Sequence, residues 1–116
     1  MKVIICGSRN YRGTSAVIQR MKLLPPDTIV IHGGASGADS LANMYALDLG
    51  LDIKKMDADW EQYGKAAGGV RNTQMLKEEP DLVLAFVNDP TNSPGTANMI
   101  LQALCAGIEV EVHYND

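Results

Sequence analysis

The chain alternates short apolar runs with longer amphipathic stretches, and this alternation restricts the folds open to it. Five runs have the length and composition of β-strands: residues 3–6, 28–32, 51–56, 82–87 and 108–112. Four stretches carry apolar residues at helical spacing: residues 14–24, 38–49, 69–79 and 96–106. The order is therefore βαβαβαβαβ, which is typical of a mainly parallel sheet with helices packed on both faces.

The composition of each run predicts its place in the sheet. The first, second and fourth runs are unbroken and aliphatic, as in strands that are buried on both faces, whereas the third and fifth alternate apolar and charged residues. We therefore predict an α/β, doubly wound, five-stranded sheet in the order 3-2-1-4-5, with the alternating strands at its edges. Residues 57–68 are predicted to form one long irregular segment, and segments of that length are usually functional.

Length, charge and cysteine content exclude several classes of protein. With 116 residues, the chain is expected to form a single domain over residues 1–116. Its formal net charge of −4 makes a nucleic-acid partner unlikely, because such binding depends on clustered Lys and Arg. No Cys/His pattern has zinc spacing, and neither a metal nor a cofactor is expected. No apolar run is long enough for a membrane span and the first residues lack a signal-peptide layout, so we expect a cytoplasmic protein with no membrane partner.

Polar and glycine-rich residues concentrate directly after the predicted strands. They fall in residues 7–11, 33–39, 57–72 and 88–96, whereas the opposite ends of the strands carry only breakers and caps. Loops that follow parallel strands share one edge of the sheet, and ligands bind there at the point where the strand order reverses. The sequence therefore predicts a binding edge, with its crevice between the first and fourth strands.

Two glycine-containing turns at this edge lead into helices, one at residues 33–37 and the other at residues 94–96. Glycine lets backbone N–H groups approach an anion, and a helix N-terminus adds a partial positive charge. Each turn alone is equally typical of tight-turn geometry, and neither matches the dinucleotide fingerprint or the P-loop. Because the two turns converge on one edge, they favour a ligand that carries phosphate.

Four side chains at this edge have both a functional and a structural interpretation. Arg9 and Arg71 are suited to binding a phosphate or carboxylate, or else are solvated surface charges or form structural pairs with Asp39 or Asp59. Asp39 either accepts hydrogen bonds from ribose hydroxyls or stabilises the N-terminus of its helix, and Trp60 either stacks on a base or pins its loop by burial. The predicted ligand-binding residues are Gly7, Ser8, Arg9, Gly33, Gly34, Ala35, Ser36, Gly37, Asp39, Trp60, Arg71, Asn72, Pro94, Gly95 and Thr96.

Five motifs in register resemble the YspA-like (cpYpsA-related) SLOG branch of the SMF/DprA–LOG superfamily, and the resemblance covers residues 1 to about 113. The motifs are Gly7–Arg9, Gly33–Asp39, Ala58–Trp60 with Gly64–Gly68, Arg71–Asn72 with Met75–Leu76, and Pro94–Met99. The resemblance implies a Rossmann-like fold that binds a nucleotide or nucleotide-derived small molecule, of the ADP-ribose or nucleoside-monophosphate type. It also implies a homodimer or higher homo-oligomer that senses, carries or sequesters this ligand.

Relatives in this superfamily include phosphoribohydrolases that activate cytokinins and a DNA-loading protein of natural transformation. In the hydrolases an arginine, matched here by Arg71, and a glutamate do the hydrolytic work. Met99 stands at the glutamate position, and methionine cannot carry a proton, so the resemblance favours binding without catalysis. The alternatives are an N-glycosidic hydrolase of nucleoside monophosphates or NAD-like compounds, with Arg71 as its catalytic cation and Asp39 or Asp59 as a replacement acid, and a DNA-binding protein.

Overall fold

Five strands are present in residues 1–88 and 93–114, the parts of the chain that the computed structural model describes. They are β1 (Lys2–Gly7), β2 (Ile29–His32), β3 (Asp52–Lys55), β4 (Leu82–Val87) and β5 (Glu109–Tyr114). The helices are α1 (Thr14–Met21), α2 (Ala38–Leu49), α3 (Trp60–Tyr63), α4 (Ala67–Leu76) and α5 (Pro94–Cys105). In these described residues no helix is long and apolar enough to cross a membrane.

All neighbouring strands run parallel, in the order β3-β2-β1-β4-β5. Val3 of β1 pairs with Val30 of β2 on one side and with Leu82 of β4 on the other. The strand order therefore reverses at β1, and a crevice opens between the carboxyl ends of β1 and β4. The predicted fold class and strand order are confirmed.

The core lies on both faces of the sheet because successive residues of a buried strand point to opposite sides. Ile5 of β1 belongs to the cluster beneath α1 and α2, whereas Ile4 belongs to the cluster beneath α4 and α5. Every residue of β4 is buried, as its unbroken aliphatic sequence predicts, whereas β3 at the edge is largely exposed. The helices that follow β1 and β2 thus cover one face, and those that follow β3 and β4 cover the other.

The prediction that residues 57–68 are irregular is wrong. This segment contains the short helix α3, a 3₁₀ turn at Gly64–Ala66 and the first residues of α4. The Asp59 carboxylate starts α3 by accepting a hydrogen bond from the Gln62 N–H at 3.1 Å. Helix α3 has only four residues and none of them is buried, so its sequence shows no apolar repeat from which the helix could be predicted. Of the predicted loop after β4, residues 89–92 lie outside the described residues.

Gly7 lies at the point where the crevice opens, and it has no room for a side chain. A Cβ at this position would lie 2.0 Å from the Phe86 carbonyl oxygen and 2.7 Å from the Ala38 Cβ. We expect Gly7→Ala to lower the free energy of unfolding by about 1–3 kcal/mol, because backbone must shift to relieve the overlap. Gly95→Ala is the control, since its Cβ would meet no heavy atom within 4 Å. Equal urea midpoints for the two variants would contradict this prediction.

Candidate functional site

Three adjoining cavities line the carboxyl edge of the sheet, and Arg9 and Arg71 contribute to all three. The central crevice, of about 420 Å³, lies where β1 and β4 separate and is lined by residues such as Asp39. The loop cavity, of about 520 Å³, lies between residues 33–36 and Trp60. The α4–α5 groove, of about 670 Å³, runs between those two helices. These volumes are in the range of small-molecule binding sites.

The predicted ligand-binding residues come together in this region. All of them except Gly37 line at least one of the three cavities. Gly37 has a φ of +74°, and a Cβ there would lie 2.2 Å from the Ser8 carbonyl oxygen. Its place in the structure is therefore explained by the turn into α2, which requires glycine.

Three N–H groups of the glycine-rich loop, those of residues 33–35, are engaged within the protein. The N–H groups of Gly33 and Ala35 both donate to Oδ2 of Asp39, at 3.1 and 3.2 Å. The Gly34 N–H donates to Nδ1 of His32 at 3.0 Å. The Asp39 carboxylate thus occupies the position that the sequence suggested for a phosphate. A ligand must displace this carboxylate or take its contacts from other groups.

His32, the last residue of β2, bonds to the glycine-rich loop and holds it in place. Its Nδ1 accepts from Gly34, so Nε2 carries the proton and donates to Oδ1 of Asn43 at 2.9 Å. The side chain is buried, and both ring nitrogens have partners. His32 is therefore a structural residue at the end of β2, as its position in the sequence indicates.

Asp39 is buried at the start of α2, and burial raises the pKa of its carboxyl above the usual 3.8. Hydrogen bonds from the Ala35 and Gly33 N–H groups and the positive charge of Arg71 oppose this effect. Oδ1 of Asp39 has no hydrogen-bond partner among the described residues. The carboxyl thus holds the loop through one oxygen and leaves the other available in the central crevice.

Cys6 also lines the central crevice. Burial, together with the negative charge of Asp39, raises the pKa of the Cys6 thiol far above its usual range, although Arg71 acts in the opposite direction. A thiol in this environment stays protonated at neutral pH. Since the thiolate is the reactive form, Cys6 is not an activated nucleophile.

Arg71 is held by neutral oxygens. Its Nη1 donates to the Gly33 carbonyl at 2.9 Å, and its Nε donates to Oδ1 of Asn72 at 3.2 Å. Within the described residues, neither Arg9 nor Arg71 forms an ion pair with a carboxylate. Ion pairs of these arginines with Asp39 or Asp59 are therefore absent there, and two guanidinium groups without an ion-pair partner line the cavities.

Asn72 connects the two turns of the predicted site. Its Nδ2 donates to the Gly95 carbonyl at 3.0 Å and to Oδ1 of Asn98 at 3.1 Å, while its Oδ1 accepts from Arg71. The Asn72 side chain is buried, whereas Arg71 is half-buried and Gly95 and Asn98 are exposed. Asn72 thereby fixes Arg71 relative to the first turn of α5.

Trp60 is 53% exposed and lines both the loop cavity and the α4–α5 groove. Its indole ring is therefore not buried as a pin for the loop, and its surface is open to both cavities. Met99, by contrast, is fully buried in the core beneath α5. Asp39 and Asp57 are the carboxylates among the described residues that line the three cavities.

Metal-binding geometry is absent from the described residues. No group of three or more His, Cys, Asp or Glu side chains there is arranged to hold a metal ion.

Comparison with known proteins identifies the family. A family model described as "YspA, cpYpsA-related SLOG family" matches residues 1–63, more than half of the chain. The Gene 61 protein of Mycobacterium phage D29 is 34% identical, over 99% of this chain and 97% of that protein. The chain belongs to the YspA, cpYpsA-related SLOG family. The resemblance read from the five motifs is thus confirmed.

The fold also matches a solved structure, the X-ray structure of DNA processing protein A (DprA) from Streptococcus pneumoniae. The TM-score is 0.55 and the identity 17%, with 97% of this chain and 58% of the DprA chain covered. The chain therefore corresponds to little more than half of that protein, and the similarity concerns the fold. The chain is thus a member of the YspA, cpYpsA-related SLOG family whose fold is similar to that of DprA.

The raised pKa of Asp39 has a consequence for stability. The folded protein binds the Asp39 proton more tightly than the unfolded chain does, so protonation of Asp39 increases the free energy of unfolding. This contribution is fully present below pH 3.8 and is lost as the pH rises through the raised pKa. We expect the unfolding free energy of the wild type, minus that of Asp39→Asn, to decrease with pH in this window. Urea titrations at several pH values measure this difference.

The Asp39→Asn substitution is well suited to this test because an amide oxygen can still accept from the Gly33 and Ala35 N–H groups. Asp27→Asn, which removes an exposed carboxyl, controls for the loss of one negative charge. A wild-type minus Asp39→Asn difference that stays constant or increases with pH would show that burial does not govern this carboxyl.

Proposed function

We propose that this protein binds a nucleotide or nucleotide-derived ligand, of the ADP-ribose or nucleoside-monophosphate type, at the carboxyl edge of its sheet. The observation that carries the proposal is that Arg9 and Arg71 line all three cavities and lack carboxylate partners among the described residues. Guanidinium groups form strong paired hydrogen bonds with phosphate oxygens. The anionic part of the ligand therefore lies where the three cavities meet.

The surroundings of the two arginines support a phosphate at this point. Gly95 and Thr96 lie in the first turn of α5 and line the central crevice, so the positive end of that helix adds to the arginine charges. The glycine-rich loop contributes its shape and the carbonyl that holds Arg71. Its N–H groups at residues 33–35 bond to Asp39 and His32 instead of the ligand.

The ribose and base fit the remaining groups. The unpartnered oxygen of Asp39 in the central crevice is suited to accept a hydrogen bond from a ribose hydroxyl. The half-exposed ring of Trp60 provides a stacking surface for a base in the adjoining cavities. The ligand thus spans the central crevice and one of the neighbouring cavities, with the anion between them.

Binding without hydrolysis is the form of this function that the side chains favour. Cleavage of an N-glycosidic bond is assisted by an acid or carboxylate near the sugar. Met99 is buried away from the cavities, and both oxygens of Asp39 have other roles: Oδ2 holds the glycine-rich loop, and Oδ1 is assigned to a ribose hydroxyl. We accordingly propose a sensor, carrier or sequestering role. The homo-oligomer and the absence of a nucleic-acid partner stay predictions.

A thermal-shift panel of AMP, ADP, ADP-ribose, NAD and cyclic ADP-ribose tests the proposal. We expect at least one compound to stabilise the protein, by about 2.7 kcal/mol at a hundred times its dissociation constant. Arg71→Ala should abolish the shift because it removes the central cation. Arg12→Ala is the matched control, since Arg12 is exposed and lines none of the three cavities.

The panel and two further assays distinguish this function from the alternatives. No shift with any compound would contradict the proposal. Release of free base from a monophosphate, lost in Arg71→Ala, would establish a hydrolase instead. Salt-sensitive retardation of single-stranded DNA in a gel would establish a DNA-binding protein.

Gly33→Ala tests whether the position of Arg71 matters as well as its charge. A Cβ at Gly33 would lie 2.2 Å from Nη1 of Arg71, so the guanidinium must move. Because the Arg71 guanidinium can move without a shift of the backbone, we expect the unfolding free energy to fall by about 1 kcal/mol, which corresponds to the lost hydrogen bond to the Gly33 carbonyl. Affinity for the panel ligand should fall about tenfold or more. Calorimetry of Gly33→Ala beside the wild type measures this, and equal affinities would show that Arg71 acts as a diffuse charge.

A further inference from the structure

The floor of the α4–α5 groove is formed by two glycines without side chains. A Cβ at Gly68 would lie 3.9 Å from Cη2 of Trp60, and a Cβ at Gly69 would lie 3.8 Å from Oδ1 of Asn98. Trp60 therefore lies beside the first glycine and Asn98 beside the second. A flat group placed over the two glycines would have the indole ring at one side and the Asn98 amide at the other.

The hydrogen bonds around Asn98 fix which way its amide faces. Nδ2 of Asn72 donates to the Gly95 carbonyl, which only a nitrogen can do. The same nitrogen lies 3.1 Å from Asn98, so the Asn98 atom that it meets must be the oxygen. Nε2 of Gln102 donates to this oxygen as well, at 2.7 Å.

Because the Asn98 oxygen is used in this way, its nitrogen is left without a protein acceptor. Among the described residues, no acceptor lies within hydrogen-bonding distance of Nδ2 of Asn98. Asn98 is exposed and lines the groove. The groove therefore contains an oriented hydrogen-bond donor that a ligand can use.

We infer that the α4–α5 groove binds a nucleobase whose edge carries a carbonyl group, and that Asn98 is a specificity-determining residue donating to that carbonyl. This inference rests on the proposed nucleotide function and narrows it to the nucleoside-monophosphate type with an oxo base, because the ADP-ribose type carries adenine, whose corresponding edge bears an amino group. Arg9 and Arg71 line both the groove and the central crevice, so a phosphate held by them leaves the base free to enter the groove. An oxo group accepts from the Asn98 nitrogen, whereas an amino group facing it would place donor against donor.

The groove offers two amides that could select a base. No carboxylate among the described residues lines it; its charged side chains are Arg9, Lys65 and Arg71, and its uncharged polar side chains are Thr73, Asn98 and Gln102. The Gln102 amide and the Thr73 hydroxyl bond to each other at 2.8 Å. Asn98 is therefore the amide that selects between bases.

Calorimetric titration with inosine monophosphate and adenosine monophosphate tests the inference, since the two differ at one edge of the purine. We expect the wild type to bind inosine monophosphate, the oxo compound, about tenfold more tightly, because adenosine monophosphate would leave the Asn98 N–H donor unpaired. Asn98→Asp keeps an oxygen for Asn72 and Gln102 and replaces the outward N–H groups with an oxygen. The preference should then reverse in favour of the amino compound.

The ratio of the two affinities removes any general effect of the added negative charge. Gln19→Glu is the matched control, since it makes the same amide-to-carboxylate change on the exposed side of α1 and should leave the ratio unchanged. Equal affinities in the wild type, a preference for adenosine monophosphate, or an unchanged ratio in Asn98→Asp would overturn the inference while leaving the proposed function intact. Failure of both nucleotides to bind any form would also overturn the inference, and the proposed function would fall with it only if no compound of the thermal-shift panel binds.

Discussion

The parallel pairing of β1 with both β2 and β4 is the constraint on which the rest of the structure depends. Since the chain leaves β2 for a helix on one face and leaves β4 for a helix on the other, α2 and α5 diverge from the same point. The space between their first turns is the central crevice. Gly7 lies at its base, where the Phe86 carbonyl excludes a side chain. Topology thus creates the cavity before any functional side chain is considered.

Within this frame, neutral groups position the charges of the site. Arg71 is fixed by a carbonyl and an amide oxygen, so its geometry is defined while its positive charge is not neutralised. A carboxylate partner would fix the side chain equally well but would compete with an anionic ligand. Asp39, the carboxylate that lines the central crevice together with Arg71, accepts hydrogen bonds from the loop N–H groups instead. This division of partners keeps the meeting point of the cavities electropositive in a chain of net negative charge.

Much of this arrangement could be predicted from the sequence, because the alternation of apolar runs and amphipathic stretches determines the order of strands and helices, and that order places the loops. The bounds of α2 and β4 agree with the apolar periodicity, and the glycine-rich turns were correctly assigned to one edge. Helix α3 could not be predicted, since a capping aspartate and not apolar burial produces it. The partners of the loop N–H groups were also missed, because Asp39 reaches them only through the curvature of the turn into α2. Asn98 was missed for a related reason: its orientation depends on Asn72 and Gln102, which the sequence does not show to be neighbours.

The closure of the loop at residues 33–35 by Asp39 and His32 has a consequence for the energetics of recognition. All three of its backbone donors are saturated without any ligand, so this segment adopts its final shape when the chain folds. Association then costs little ordering entropy at this position, since no segment has to rigidify around the incoming molecule. Crystal forms with and without an occupant should superpose closely here, and heat-capacity changes on association should reflect buried apolar area rather than a disorder-to-order transition.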